Sequence, residues 1–126
     1  MMGGDGFSFR KRARSFLFAG RGMGVLFTQH NAWIHSAFTV GVVVAGFVLK
    51  LERWEWTAVI VAIMAVLSAE ATNTAIELLC DVASPEIHPT IGKCKDAAAA
   101  GVLICAIASA AIGLVVFGPH LLALIK

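Results

Sequence analysis

The sequence predicts an all-α membrane protein, with an amphipathic helix on the membrane surface followed by three transmembrane helices. The chain has 126 residues, of which 59% are hydrophobic and only 14% are charged. That is more apolar surface than a soluble domain of this size can bury. Three apolar stretches are each long enough to cross the roughly 30 Å hydrocarbon core as a helix. None shows the alternation of apolar and polar residues that is typical of a strand.

The first 29 residues combine basic residues with large apolar ones. The basic members are Arg10, Lys11, Arg12, Arg14 and Arg21, and the apolar members are Phe7, Phe9, Phe16, Leu17 and Phe18. No continuous apolar core follows the basic run, so a cleaved secretory signal is not predicted. The mixture indicates a helix lying on an anionic membrane face. The alternative for residues 1–12 is a disordered basic tail.

The spans are predicted at about 32–49, 54–83 and 95–117, within a single membrane domain that covers residues 1–126. The first contains no Asp, Glu, Lys or Arg, and neither does the third from Ala97 onward. The second is cleanly apolar only from Trp56 to Ala69, beyond which acidic residues follow. A helix is still expected there, because the hydrocarbon contains no water to hydrogen-bond the N–H and C=O groups of a non-helical backbone.

The distribution of Lys and Arg predicts the orientation. Five precede the first span and two, Lys93 and Lys95, lie in the second loop, whereas Lys50, Arg53 and Lys126 lie on the other side. Seven basic residues against three place the N-terminus and the second loop in the cytoplasm.

Two other features of the composition exclude classes of site. The three cysteines show no CxxC spacing, so neither a disulfide nor a zinc site is predicted. The net charge of +2 is too small to indicate a nucleic-acid partner.

An acidic stripe follows the apolar part of the second span. At 100° per residue, the side chains of this stripe lie within about 60° of Glu70 on one helix face. They are Glu70, Asn73, Thr74, Glu77 and Asp81. A carboxylate at the depth of Glu70 costs several kcal/mol unless it faces protein, a cation or water, so it marks a candidate functional site.

The members of this stripe suit different chemical roles. Glu77 and Asn73 offer oxygen ligands for magnesium. This cation usually retains several water ligands and is also coordinated by the phosphates of the substrate. Glu70 lies deeper and suits a general base that takes a proton from a lipid hydroxyl. From the stripe alone, hydrogen bonding across a helix bundle or an ion path remains favoured over phosphate transfer.

A second polar cluster spans Ser84–Asp96. Pro85, Pro89 and Gly92 predict a cytoplasmic turn, after which Lys95 and Asp96 begin the third span. Lys95 can bind phosphate and Asp96 can position a metal. The alternative is that Lys95 merely extends to interfacial water.

Together these segments, EATNTAIELLCD, PEIHP and KCKDAAAAGVL, resemble the membrane-integral bacterial diacylglycerol kinase and undecaprenol kinase family. The resemblance covers about 30 ordered residues and extends to the AGRG and HN-x-x-x-H stretches. It implies a homotrimer with active sites between subunits, which uses magnesium and ATP to phosphorylate a membrane lipid. The PEIHP and AGRG stretches look more like the undecaprenol kinase branch.

The resemblance also implies roles for individual residues. Glu70 is the expected catalytic base and Glu77 a metal ligand. The residues expected to contact nucleotide or phosphate are Asn73, Lys95, Asp96, Arg21, Glu86 and His88, and those expected to contact the lipid are Glu70, Asn73 and Arg14.

The chain departs from the family pattern just before the first span. The usual T-E-R-N stretch is here TQHN, which places Gln29 at a position where the family has a metal-binding carboxylate, and His30 where it has an arginine. Gln29 keeps an oxygen but loses the charge, so weaker magnesium binding is expected. The alternatives to a lipid kinase are a small oligomeric ion or proton conductor and a membrane scaffold. A conductor has no use for the Lys95 and Asp96 pair.

Overall fold

The computed structural model of the chain describes residues 6–84, 86 and 88–126. The described residues form four helices: α1 (Phe9–Phe27), α2 (His30–Val48), α3 (Arg53–Ala83) and α4 (Pro89–Leu124). By length and composition, α2, α3 and α4 are suited to cross a membrane. The predicted all-α class with three such helices is therefore confirmed.

Helix α1 occupies the basic N-terminal segment. It begins after Ser8, whose hydroxyl accepts a hydrogen bond from the Lys11 N–H at 3.5 Å. The residues of 9–12, which the alternative assigned to a disordered tail, are helical, while residues 1–5 lie outside the described residues. Leu26, near the end of the helix, is its one buried residue.

A tight turn joins α2 to α3. The Lys50 N–H donates to the Phe47 carbonyl at 3.3 Å, and the Leu51 N–H donates to the Gly46 carbonyl at 3.1 Å. This pair of bonds is the Schellman pattern, in which the residue after the cap adopts the left-handed region. Lys50 does so with φ of 56°. The buried side chain of Leu51 then packs under the turn.

Helix α4 begins earlier and ends later than the predicted third span. Pro89 is its first residue and Gly92 lies inside it, so the prediction that both belong to the turn is wrong. Proline is favoured at the first helical position, where no N–H partner is needed. The His88 side chain adds a cap by accepting the Thr90 N–H at 3.1 Å. Pro85, the other predicted turn residue, lies outside the described residues.

Helix α3 is central, because it packs against each of the other three helices. Helices α2 and α4 flank it, and among the described residues no Cα atom of one lies within 8 Å of a Cα atom of the other. The Ser109 hydroxyl of α4 donates to the Ala62 carbonyl of α3 at 3.2 Å. A small apolar core around Val59 and Val116 joins the end of α4 to the start of α3.

Most large apolar side chains point away from the chain, and Val116 is the one buried residue of α4. In water such a surface would aggregate. The helices are thus arranged for an apolar surrounding, supplied by lipid or by further copies of the chain.

Candidate active site

A polar pocket lies between the start of α2 and the middle of α3. It has a volume of about 130 Å³. Its lining consists of Gln29, His30, Asn31, Glu70, Asn73, Thr74 and Glu77. The helical spacing of the acidic stripe brings the α3 members to one face, and the sharp link from α1 to α2 brings the others opposite them.

Glu70 is buried at the wall of the polar pocket, with 4% of its surface exposed. Its Oε1 lies 2.9 Å from Nε2 of His35 on α2. A buried carboxylate requires such a partner, since desolvation otherwise disfavours its charge. The contact joins α2 to α3 beside the pocket.

Asn73 and Glu77 lie one helical turn apart on the same wall. The Asn73 Nδ2 donates to Oε1 of Glu77 at 3.2 Å. The Asn73 Oδ1 is buried and has no hydrogen-bond partner among the described residues. An amide oxygen held in this way is ready to accept a cation or a donor group from a ligand.

This oxygen set fits magnesium better than a transition metal. No group of three His, Cys, Asp or Glu side chains in the described part of the chain is arranged to hold a metal. Magnesium does not need one, because it takes one or two protein carboxylates and completes its shell with water and substrate phosphates. The free oxygen of Asn73 beside Glu77 meets that requirement.

Gln29 enters the pocket from the N-terminus of α2. It occupies the N-cap position without making a side-chain cap. Its Nε2 lies 3.4 Å from the Thr28 hydroxyl. The structure therefore brings the two predicted metal positions, Gln29 and Glu77, to one cavity.

The predicted phosphate-binding residues at the start of α4 lie outside the polar pocket. The Lys95 ammonium forms an ion pair of 2.7 Å with Asp81, which closes the hairpin between α3 and α4. Asp96 is exposed next to it. Their predicted roles toward phosphate and metal remain predictions.

Four further predicted residues are also apart from the pocket. Arg14 and Arg21 are exposed on α1, with the Arg21 guanidinium 5.7 Å from the centre of the Phe18 ring. Glu86 is exposed between α3 and α4, and His88 caps α4. The structure of a single chain does not bring any of these side chains to Glu70.

The sequence interpretation gave no role to His35, His30 or Asn31. The usable signal was the spacing of Asn31 and His35, which are four residues apart and share a face of α2. That spacing does not determine which carboxylate of α3 the His35 ring contacts.

An apolar groove adjoins the polar pocket. It arises because α2 and α4 flank α3 without closing on one another, and its volume is about 610 Å³. His35 and Thr39 lie in its wall on α2, and Ala106 and Ser109 lie in its wall on α4. The groove and the pocket therefore meet at the His35–Glu70 contact.

Comparison with known proteins gives a consistent assignment. Residues 17–117 match the family described as Prokaryotic diacylglycerol kinase. An undecaprenol kinase of Bacillus subtilis is 38% identical over 109 residues, which are 86% of this chain and 89% of that protein. A diacylglycerol kinase of Synechocystis sp. is 36% identical over 117 residues, covering 87% of this chain and 64% of that protein. The matched region contains the whole polar pocket.

Proposed function

The chain belongs to the prokaryotic diacylglycerol kinase family and is a lipid kinase, and we propose that it transfers the γ-phosphate of ATP to the hydroxyl of undecaprenol in the bacterial inner membrane. The observation that carries the proposal is a buried carboxylate, Glu70, between a polar pocket and an apolar groove. Diacylglycerol is the alternative lipid. The family assignment favours a lipid kinase over the two alternatives, an ion conductor and a membrane scaffold.

Glu70 acts as the general base in this proposal. Its Oε1 is engaged by His35, which leaves Oε2 to accept the proton of the lipid hydroxyl. The hydroxyl oxygen then bonds to the γ-phosphorus, and the bond from that phosphorus to the oxygen bridging to the β-phosphate breaks to release ADP. Burial excludes water, which would otherwise compete as acceptor.

Asn73 and Glu77 would hold the magnesium ion of the nucleotide, and Gln29 would offer a further oxygen. Support comes from the free, buried Oδ1 of Asn73 and from the carboxylate that its amide contacts. When bound, magnesium neutralises the charge that develops on the phosphates. The protein residues orient the phosphate chain toward Glu70.

The hydrocarbon chain of the lipid follows the apolar groove. A lipid alcohol has a long apolar tail and one polar end. The apolar groove suits the tail, and the adjoining polar pocket suits the hydroxyl end. The relative that this chain spans to 89% of its length is named an undecaprenol kinase. The groove fits either lipid, and the name of this relative supports an isoprenoid alcohol over a diacylglycerol.

The active enzyme is a homotrimer with sites between subunits and with α1 on the cytoplasmic surface. Supporting this, Lys95, Asp96 and Arg21 lie outside the pocket of their own chain, so a neighbouring subunit can bring them to a shared site. On α1, the basic residues Arg10, Arg14 and Arg21 fall within about 40° of one another. The opposite side carries the apolar residues Met23 and Leu26 together with Arg12.

The test is transfer of labelled phosphate from ATP to defined lipids in micelles, with undecaprenol and diacylglycerol compared side by side. The native chain should label undecaprenol, and chelation of magnesium should stop the reaction. Glu70→Gln should lower turnover by about 10²-fold or more while the oligomer still assembles, because the amide keeps the shape but not the base. Preferred labelling of diacylglycerol would reassign the lipid, and native turnover in Glu70→Gln would remove the base.

A further inference from the structure

The contact between His35 and Glu70 is a feature of the site that neither the acidic stripe nor the family pattern assigned. The Nε2 atom of His35 lies 2.9 Å from Oε1 of Glu70, and their side chains are 27% and 5% exposed. An ionised carboxylate has only acceptors, so the imidazole N–H is the donor. We propose that His35 is a positioning residue, which fixes the carboxylate of Glu70 in the orientation that proton transfer requires.

The geometry of the carboxylate carries this proposal. Glu70 has three side-chain torsions, and Oε2 has no hydrogen-bond partner among the described residues. Without His35 the carboxylate would be free to rotate about its last torsion, which has a broad energy profile. One bond to Oε1 removes that freedom and leaves Oε2 available to the substrate.

The location of His35 adds a second argument. Its ring lies in the wall of the apolar groove, whereas the Glu70 side chain lines the polar pocket. A lipid alcohol that spans both must place its hydroxyl where they meet. His35 therefore holds the base at the one point that both the lipid tail and the phosphate can reach.

The bond also persists through the reaction. When Oε2 has accepted the hydroxyl proton, Oε1 still carries lone pairs for the Nε2–H. The same donor serves reactant and product states, so no partner has to be exchanged during turnover. Preorganisation of this kind is worth up to about 10²-fold in rate when a misplacement of about 1 Å is avoided.

His120 provides a matched control elsewhere in the chain. Its Nε2 lies 2.9 Å from Oε2 of Glu55, which is 5% exposed, at the other end of α3. Both histidines tie a neighbouring helix to a buried glutamate of α3. Only His35 does so beside the polar pocket, so a purely structural role predicts similar effects for the two, and a positioning role does not.

The experiment rests on the proposed lipid kinase reaction and compares turnover and thermal unfolding of full-length variants in micelles. His35→Ala should lower kcat by about 10- to 100-fold, with KM for ATP changed by less than about twofold. His35→Gln keeps an N–H at a similar reach and should recover kcat to within about threefold of native. His120→Ala should unfold at a lower temperature and keep native kcat at the assay temperature.

Native kcat in His35→Ala would overturn the proposal, and so would equal losses of kcat in His35→Gln and His35→Ala. An equal loss in His120→Ala would do the same, since it would indicate a general structural effect. If the His35→Ala variant does not assemble, His35→Leu is the substitute. Leucine fills more of the space of the imidazole ring and also lacks the hydrogen bond to Glu70.

Glu70 variants separate a failure here from a failure of the proposed function. In Glu70→Asp the shorter side chain no longer reaches the ring, so adding His35→Ala should cost less than about twofold more in kcat. A full further loss in that double variant would mean that His35 does not act through Glu70. Native turnover in Glu70→Gln would instead remove the base itself.

Discussion

The amide of Gln29 lines the polar pocket. The other side chains of the lining, from α2 and α3, are all polar or charged and can bind an anion or a cation. Gln29 lines the same cavity as Glu77 and Asn73, and it does not cap α2. Its amide nitrogen contacts the Thr28 hydroxyl, which leaves the amide oxygen available to a ligand. In the family pattern this position carries a carboxylate, so the local charge here is one unit less negative.

Restoring that charge is the first prediction. Gln29→Glu adds an anionic oxygen beside Glu77 and should tighten magnesium-dependent nucleotide binding by about 1 kcal/mol, or about fivefold in Kd. The measurement is a titration of magnesium against a fluorescent ATP analogue at fixed protein, for native and variant chains.

Gln29→Met is the control, because it keeps the length of the side chain and removes the oxygen. It should weaken magnesium-dependent binding. If Gln29→Glu leaves the magnesium requirement unaltered or raises it through repulsion of the phosphates, the position has no metal role in this chain.

At the level of elements, the turn between α2 and α3 depends on a close approach of a glycine to an aromatic ring. A Cβ at Gly46 would lie 2.6 Å from Cη2 and 2.9 Å from Cζ2 of Trp56. The Trp56 ring is itself held against Phe47, with centroids 4.9 Å apart. Gly46 is therefore required by the packing of the two helices.

Gly46→Ala should lower the stability of the fold by about 1–3 kcal/mol, because the ring must move against a packed neighbour. Thermal unfolding followed by tryptophan fluorescence measures the loss. Gly41→Ala on the same helix is the matched control, since nothing lies within 4 Å of its Cβ position. It should leave the midpoint unchanged or raise it through better helix propensity. Equal midpoints for the two variants would show that the contact does not constrain the helices.

The order and type of the helices, and one face of the site, could be predicted because both depend on local periodicity. Glu70, Asn73 and Glu77 fall on one wall of the pocket for that reason. The start of α4 was misplaced, because proline serves equally in a turn and at a first helical position, and the capping by His88 decides between them. The meeting of His35 with Glu70 depends on how α2 packs on α3, which no spacing within one helix determines.

For the whole molecule, the central position of α3 explains how a chain of this size holds a reactive site. The other three helices each use α3 as their support, and the pocket and the groove both open along it. Much of the remaining surface is apolar and unpaired within one chain. Assembly with further copies, as proposed, would cover part of that surface and complete the site.

The 31 residues of α3 form one unbroken helix, and from this we predict that the thickness of the bilayer affects turnover. Glu70 lies about 21 Å along the helix from Trp56, which is expected to sit at the outer interface. In thicker membranes Glu70 should lie farther from the nucleotide in the aqueous phase, because a helix held at the outer interface by Trp56 cannot lengthen. Turnover in vesicles of increasing acyl-chain length should therefore decline as KM for ATP rises. Equal rates across the series would mean that tilt or local thinning of the membrane fully compensates.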